Sequence, residues 1–185
     1  IREIEERGEG KQTEYFSKKS GEKLTRTLGK MGKSLKNAVA PDEIITEHGA
    51  DTLRTYEMYM GPLETSKPWS TRDIVGMSRF LFGIWKKLVT EEGVTRLSDA
   101  APPIEQLRAL HKTIKKVTEQ MDDLRFNTAI ASLIELNNAI KGDAVSRQIA
   151  EPFMLMLAPF APHIAEELWQ RIRGDKWHRS ISHEE

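Results

Sequence analysis

From about residue 70 onward, apolar residues recur at the spacing of a helix and charged residues fill the gaps. In "STRDIVGMSRFLFGIWKKLV" the apolar set is Ile74, Met77, Leu81, Ile84, Trp85 and Leu88. At about 100° per residue these fall in one stripe. In "PIEQLRALHKTIKKVTEQMDDL" a second stripe runs through Leu107, Leu110, Ile114, Val117, Met121 and Leu124. "FNTAIASLIELNNAIKG" predicts a third helix, capped by Asn127 and stopped at Gly142. "DAVSRQIAEPFMLMLAPFAPHIAEELWQRIRG" predicts a long apolar helix interrupted by Pro152, Pro159 and Pro162, its last part running from Pro162 to Arg173 and ending at Gly174. Helices with one wet face and short connections pack as a bundle. The fold class predicted is mainly α.

The first forty residues have another texture. Tyr15–Ser17 and Leu24–Thr27 flank a Lys-Ser-Gly turn, which predicts a short β-hairpin. A lysine- and glycine-rich loop follows. "APDEIITEHG" then reads as a short helix, with Pro41 in its first position, Asp42 and Glu43 in its positive first turn and Gly49 at its end. "ADTLRTYEMYMG" is a second short helix closed by Gly61, and "PLETSKPW" is a linker. The domains expected are residues 1–68, holding hairpin, loop and junction helices, and residues 69–185, a helical bundle.

Composition narrows the partners. Lys+Arg and Asp+Glu both number 28, so local basic stripes are possible but a polyanion-coating protein is not indicated. With no cysteine there is no disulfide and no thiolate metal site. No apolar run reaches the length of a membrane span, so no membrane partner is expected. The chain starts at Ile1, without a signal or transit pattern, and reads as a piece of something longer.

Two charged faces stand out. Arg72, Arg79 and Lys86 are seven residues apart and line one edge of the first long helix; Arg108, His111, Lys112, Lys115 and Lys116 cluster on the second. They read either as a surface that tracks nucleic-acid phosphates or as ordinary solvated faces in a chain with 30% charged residues. "HIAEE" places His163 and Glu167 one turn apart, but an inverted zincin pattern needs a second His where Glu167 stands, so no metal is assigned. His163 reads as a capping or surface residue. Trp69, Trp85, Trp169 and Trp177 read as core or interface aromatics, and Met58, Met60, Met154 and Met156 as apolar filler.

The sharpest chemistry lies in "LGKMGKSLKN", residues 28–37. Lys30 and Lys33 carry ammonium groups on long stems that can reach successive phosphates. Gly32 lets the backbone approach or swing, and Ser34 and the backbone amides can donate. A Walker loop is excluded, because its leading glycine is missing.

"KMGKS", residues 30–34, resembles the KMSKS signature of class I aminoacyl-tRNA synthetases. The text after it is more specific. "LKNAVAPDEIITEHGADTLRTYEMYMGPLETSKPW", residues 35–69, and "MLAPFAPHIAEELW", residues 156–169, resemble the leucyl-tRNA synthetases. The resemblance implies an enzyme of the cytoplasm that activates leucine with ATP and Mg2+ and then charges tRNA-Leu. It implies a catalytic role for Lys30 and Lys33 and an ATP-binding loop of Lys30, Met31, Gly32, Lys33 and Ser34, with Met31 packing to set the loop. Gly32 departs from the signature serine, which removes a hydroxyl and adds freedom. The resemblance further makes the bundle an anticodon-binding-type domain, and Arg72, Arg79, Lys86, Lys112 and Lys115 candidates for tRNA contact. The signature histidines and the nucleotide-binding sheet of the class lie outside this sequence. Alone, the chain is therefore expected to bind no ATP and to be inactive. The alternatives are a non-catalytic helical RNA-binding module and an isoleucyl- or valyl-type sister enzyme.

Overall fold

The computed structural model describes residues 4–7, 14–25, 27, 29–174 and 179–184. The side chains of Glu6 and Lys33, and all of Trp177, lie outside the described residues. The chain divides into two compact units, Ile1–Val39 and Ala40–Glu185.

In the first unit, strands β1 (Ile4–Arg7), β2 (Glu14–Ser17) and β3 (Lys23–Leu24) form an antiparallel sheet in that order. Tyr15 pairs with Leu24 and Phe16 with Lys23, so the hairpin expected here is present, with a shorter second strand. β1 is an addition. Its charged text, "IEER", carries no alternation to announce it, yet it pairs along its whole length, Ile4 with Ser17 through Arg7 with Glu14.

Among the described residues, the second unit holds seven α-helices: α1 (Pro41–His48), α2 (Ala50–Tyr59), α3 (Ile74–Leu88), α4 (Ile104–Asp122), α5 (Phe126–Ala139), α6 (Arg147–Leu157) and α7 (Pro162–Arg173). The mainly α class is as expected. Gly49, at φ 88°, ends α1 and opens α2, a backbone region that favours glycine. The two helices pack on each other, and α2 also packs on α3 and α5. The core is built from Ile84 and Leu88 of α3, Ile130 and Leu133 of α5, Phe153 and Met154 of α6, and Leu168 of α7, all essentially inaccessible.

Several expectations need correction. The first long helix begins at Ile74, because Ser70–Asp73 turns instead, held by an Asp73 N–H bond to the Ser70 carbonyl. Phe80 joins its buried stripe, while Trp85 is half-buried under Arg171. On α4 the buried line is Gln106, Leu110, Thr113 and Val117, rotated from the apolar stripe. The helix packs against both α5 and α6, so Leu107, Ile114 and Met121 become half-buried flanks, and Gln106 survives burial by donating to the Lys141 carbonyl at 3.0 Å. Leu124 lies beyond α4 at φ 56° and is exposed. Asn127 is no cap; α5 starts one residue earlier, at Phe126, after Arg125.

The last apolar segment is split only once, between Leu157 and Pro162. Pro152 sits in the second turn of α6, where it forfeits the bond to the Gln148 carbonyl and the helix continues. Two further strands, β4 (Leu97–Ser98) and β5 (Val145–Ser146), pair in parallel and tie the α3–α4 and α5–α6 connections together. Beyond α7, Ser180 and the Ile181 N–H donate to Glu166 at 2.7 and 2.9 Å. Burial pushes that carboxyl up, but these bonds and one from Gln170 outweigh it and hold it below the usual range.

Candidate phosphate loop and nucleic-acid surface

The lysine loop is built by local bonds rather than by packing. Lys33–Leu35 forms one 3-10 turn. Lys36 follows at φ 51°, a left-handed conformation that costs a non-glycine residue about 1–2 kcal/mol. The chain reverses there, and Asn37 meets the start of the loop. Its Oδ1 accepts from the Gly32 N–H at 2.9 Å, and its Nδ2 donates to the Lys30 carbonyl at 3.3 Å. Met31 is 42% exposed and Leu35 63%, so packing within this chain contributes little to holding the loop. Lys30 and Ser34 are exposed. Gly32 does not need positive φ, and a Cβ there would meet only Ser34 Oγ, at 3.9 Å. A serine in that position would fit. The loop carries an exposed ammonium, a hydroxyl and backbone N–H groups on one short reversal, the kinds of group that bind anionic oxygens.

In the second unit, α2 finishes other elements. The break before α7 leaves a bare N-terminus and a free carbonyl. Asp51 accepts from the backbone N–H groups of His163 (3.3 Å) and Ile164 (2.7 Å), and its Oδ1 lies 2.8 Å from His163 Nδ1. Arg54 donates to the Pro159 carbonyl at 3.1 Å. Tyr56 donates its hydroxyl to the Ser70 carbonyl at 2.8 Å and packs edge-on with Trp69 at 5.3 Å, fastening the linker to α2. Burial raises the Tyr56 pKa. His163 is a surface residue at the start of α7, as read. Glu167 is committed to Arg171 at 2.7 Å, and Glu166 to the segment after α7.

The basic residues separate into two places. Arg79 and Lys86 are exposed on α3, whereas Arg72 precedes the helix, in the turn, so the three do not share a helix edge. Lys112 and Lys115 are exposed on α4, with Lys115 3.9 Å from Glu119. α3 and α4 do not pack closely on each other; α5 packs against both, α6 against α4 and α7 against α3, so the two basic faces lie on separate helices. Beside the α3 face an open cleft of about 580 Å³ is lined by His48, Asp51, Phe82, Trp85 and His163 among others. Lys86 Nζ lies 4.8 Å from the centre of the exposed Phe82 ring, and Arg171 lies 5.2 Å from that of Trp85. Interleaved aromatic rings and cations suit stacked bases and phosphates. Lys87 faces inward, donating to the carbonyls of Asn137 and Ile140 at the end of α5, and burial lowers its pKa.

Sequence reasoning missed Asn37 and Asp51 as organising residues. Asn37 was visible only as an amide near the lysines. The partner of Asp51 is 112 residues away, beyond any local pattern.

Residues 105–185 match the family model described as the anticodon-binding domain of tRNA ligase. The chain is 52% identical over 178 residues to a leucine–tRNA ligase of Saccharopolyspora erythraea, covering 94% of this chain and 18% of that protein. It is 56% identical over 155 residues to that of Streptomyces avermitilis, covering 82% and 16%, and 54% identical over 168 residues to that of Rhodococcus jostii, covering 88% and 17%. Among solved structures, the LeuRS of Agrobacterium radiobacter K84 in a ternary complex with tRNA and LeuAMS shares the fold, with TM-score 0.64 and 24% identity over 82% of this chain and 21% of that one. The chain spans about a sixth of the length of the curated relatives it matches. Over that span it is a homologue of the leucine–tRNA ligases, and its residues 105–185 are similar to the anticodon-binding domain of tRNA ligase.

Proposed function

We propose that the chain supplies the ATP-phosphate loop and a tRNA-binding helical bundle to a leucine–tRNA ligase acting in the cytoplasm. In that reaction the leucine carboxylate attacks the α-phosphate of ATP and pyrophosphate leaves. A hydroxyl of tRNA-Leu then attacks the leucyl carbonyl of the adenylate, and AMP leaves. Lys30 and Lys33 neutralise the charge that builds on the phosphates, and Ser34 and the loop amides donate to their oxygens. Mg2+ accompanies ATP in the complete enzyme; no described residue is assigned to it. The observation that carries the reading is 52% identity to a leucine–tRNA ligase across 94% of the chain, loop and bundle together. That breadth also favours leucine over the isoleucyl and valyl sister reactions. The chain alone, without the nucleotide-binding sheet, is expected to sustain no ATP–pyrophosphate exchange.

The exposed Arg79 and Lys86, beside the cleft of Phe82 and Trp85, are the favoured tRNA contacts; Lys112 and Lys115 form a second candidate face, and Arg72 a third point near the linker. Each phosphate that the protein no longer neutralises lowers the slope of log affinity against log salt by roughly one. Reversing both Arg79 and Lys86 to glutamate in the complete enzyme should weaken tRNA-Leu binding about tenfold and flatten that slope by about two. Filter binding at several salt concentrations measures both. Unchanged affinity and slope would move the contact to the α4 face. A non-catalytic RNA-binding module would instead hold tRNA-Leu yet be indifferent to loss of Lys33.

A further inference from the structure

We propose that Asn37 is the positioning residue of the lysine loop: its side-chain amide clamps Lys30–Gly32 and so presents the lysines to a polyphosphate as one unit. The inference rests on the ATP-phosphate reading above and adds the residue that shapes the site. Among the described residues no buried apolar side chain holds this loop: Met31 and Leu35 are both exposed. Among the described residues, the two bonds from Asn37 are what fasten Lys30 and Gly32 to the chain that follows. They grip opposite sides of Met31, one as acceptor from the Gly32 N–H and one as donor to the Lys30 carbonyl. Only an amide does both. A carboxylate at the same position keeps the first, loses the second and brings a negative charge into an anion receptor. The 3-10 turn Lys33–Leu35 and the left-handed Lys36 bring Asn37 back to the loop's start. With the clamp made, the backbone separation between Lys30 and Lys33 is fixed before the nucleotide arrives. The ordering cost then falls on folding rather than on binding the transition state.

The test uses the full-length enzyme that carries this segment, with Asn37→Ala, Asn37→Asp and Lys33→Ala. Leucine-dependent ATP–pyrophosphate exchange, thermal midpoint and tryptic cleavage after Lys30 and Lys33 are measured on each. Asn37→Ala is expected to lower kcat about tenfold, the order of two neutral hydrogen bonds partly recovered from water. KM for leucine and the thermal midpoint should hold, while cleavage in the loop accelerates several-fold. Asn37→Asp, keeping the Gly32 bond, should be cleaved more slowly than Asn37→Ala. Wild-type kcat in Asn37→Ala beside a slow Lys33→Ala overturns the clamp alone, as does a slow Asn37→Ala whose loop is cleaved no faster. Wild-type exchange by Lys33→Ala overturns the phosphate-loop reading on which the clamp stands.

Discussion

Replacing Lys30 and Lys33 together by alanine in the complete enzyme should cut leucine activation by about a thousandfold or more. Removing one well-placed donor to developing charge costs about 10²–10³ in turnover, and here two full charges leave one short loop. Structure limits the side effects. The Lys30 side chain is exposed and makes no bond within the described residues, so its loss frees no buried partner. The loop lies in the first compact unit and the bundle in the second, so tRNA affinity and thermal stability should stay at their wild-type values. Isotopic ATP–pyrophosphate exchange measures the first effect; filter binding and thermal unfolding measure the others. A doubly substituted enzyme that activates leucine at the normal rate would strip the loop of its role.

Asp51→Ala should destabilise the second unit by about 3 kcal/mol. An exposed helix cap is worth roughly 1 kcal/mol. Asp51 does more. Its side chain is 11% exposed, it takes two N–H groups at the start of α7, and it orients His163. Removing it leaves part-buried donors unsatisfied, at about 1–3 kcal/mol each, and subtracts a negative charge from the first turns of both α2 and α7. For a unit of this size that lowers the melting temperature by roughly 6–12 °C. Asp51→Asn keeps one accepting oxygen and should lose less than half as much. Calorimetry on the 185-residue chain decides it, and an unshifted melt for Asp51→Ala would mean that water already reaches those N–H groups.

How far the sequence could be read follows from range. The helices were legible because their signal is local: Ile74, Met77, Leu81, Ile84 and Leu88 are buried on the face their spacing defines. α4 misled because a helix touching two neighbours buries a line between them, and Thr113 and Gln106 find shelter there that no hydropathy pattern announces. β4 and β5 are two residues each, too short for any alternation, and exist because Leu97 and Val145 meet across 48 residues. At the site, the roles proposed for Lys30 and Ser34 come from residue type and from the resemblance. The bonds from Asn37 were not, because they depend on a reversal through a left-handed lysine that local preference argues against. Arg72 was misplaced for a similar reason: Ser70 is held by Tyr56, so the chain cannot begin coiling where its period first appears.

The gap between α6 and α7 carries one more implication. Its loose ends are tied off from α2, by Asp51 and Arg54, more than a hundred positions earlier. An evolving gene could not therefore splice this bundle elsewhere from Trp69 onward and keep it whole. The portable piece would have to bring the stretch from Ala40 with it, since the late helix is completed only by residues translated long before.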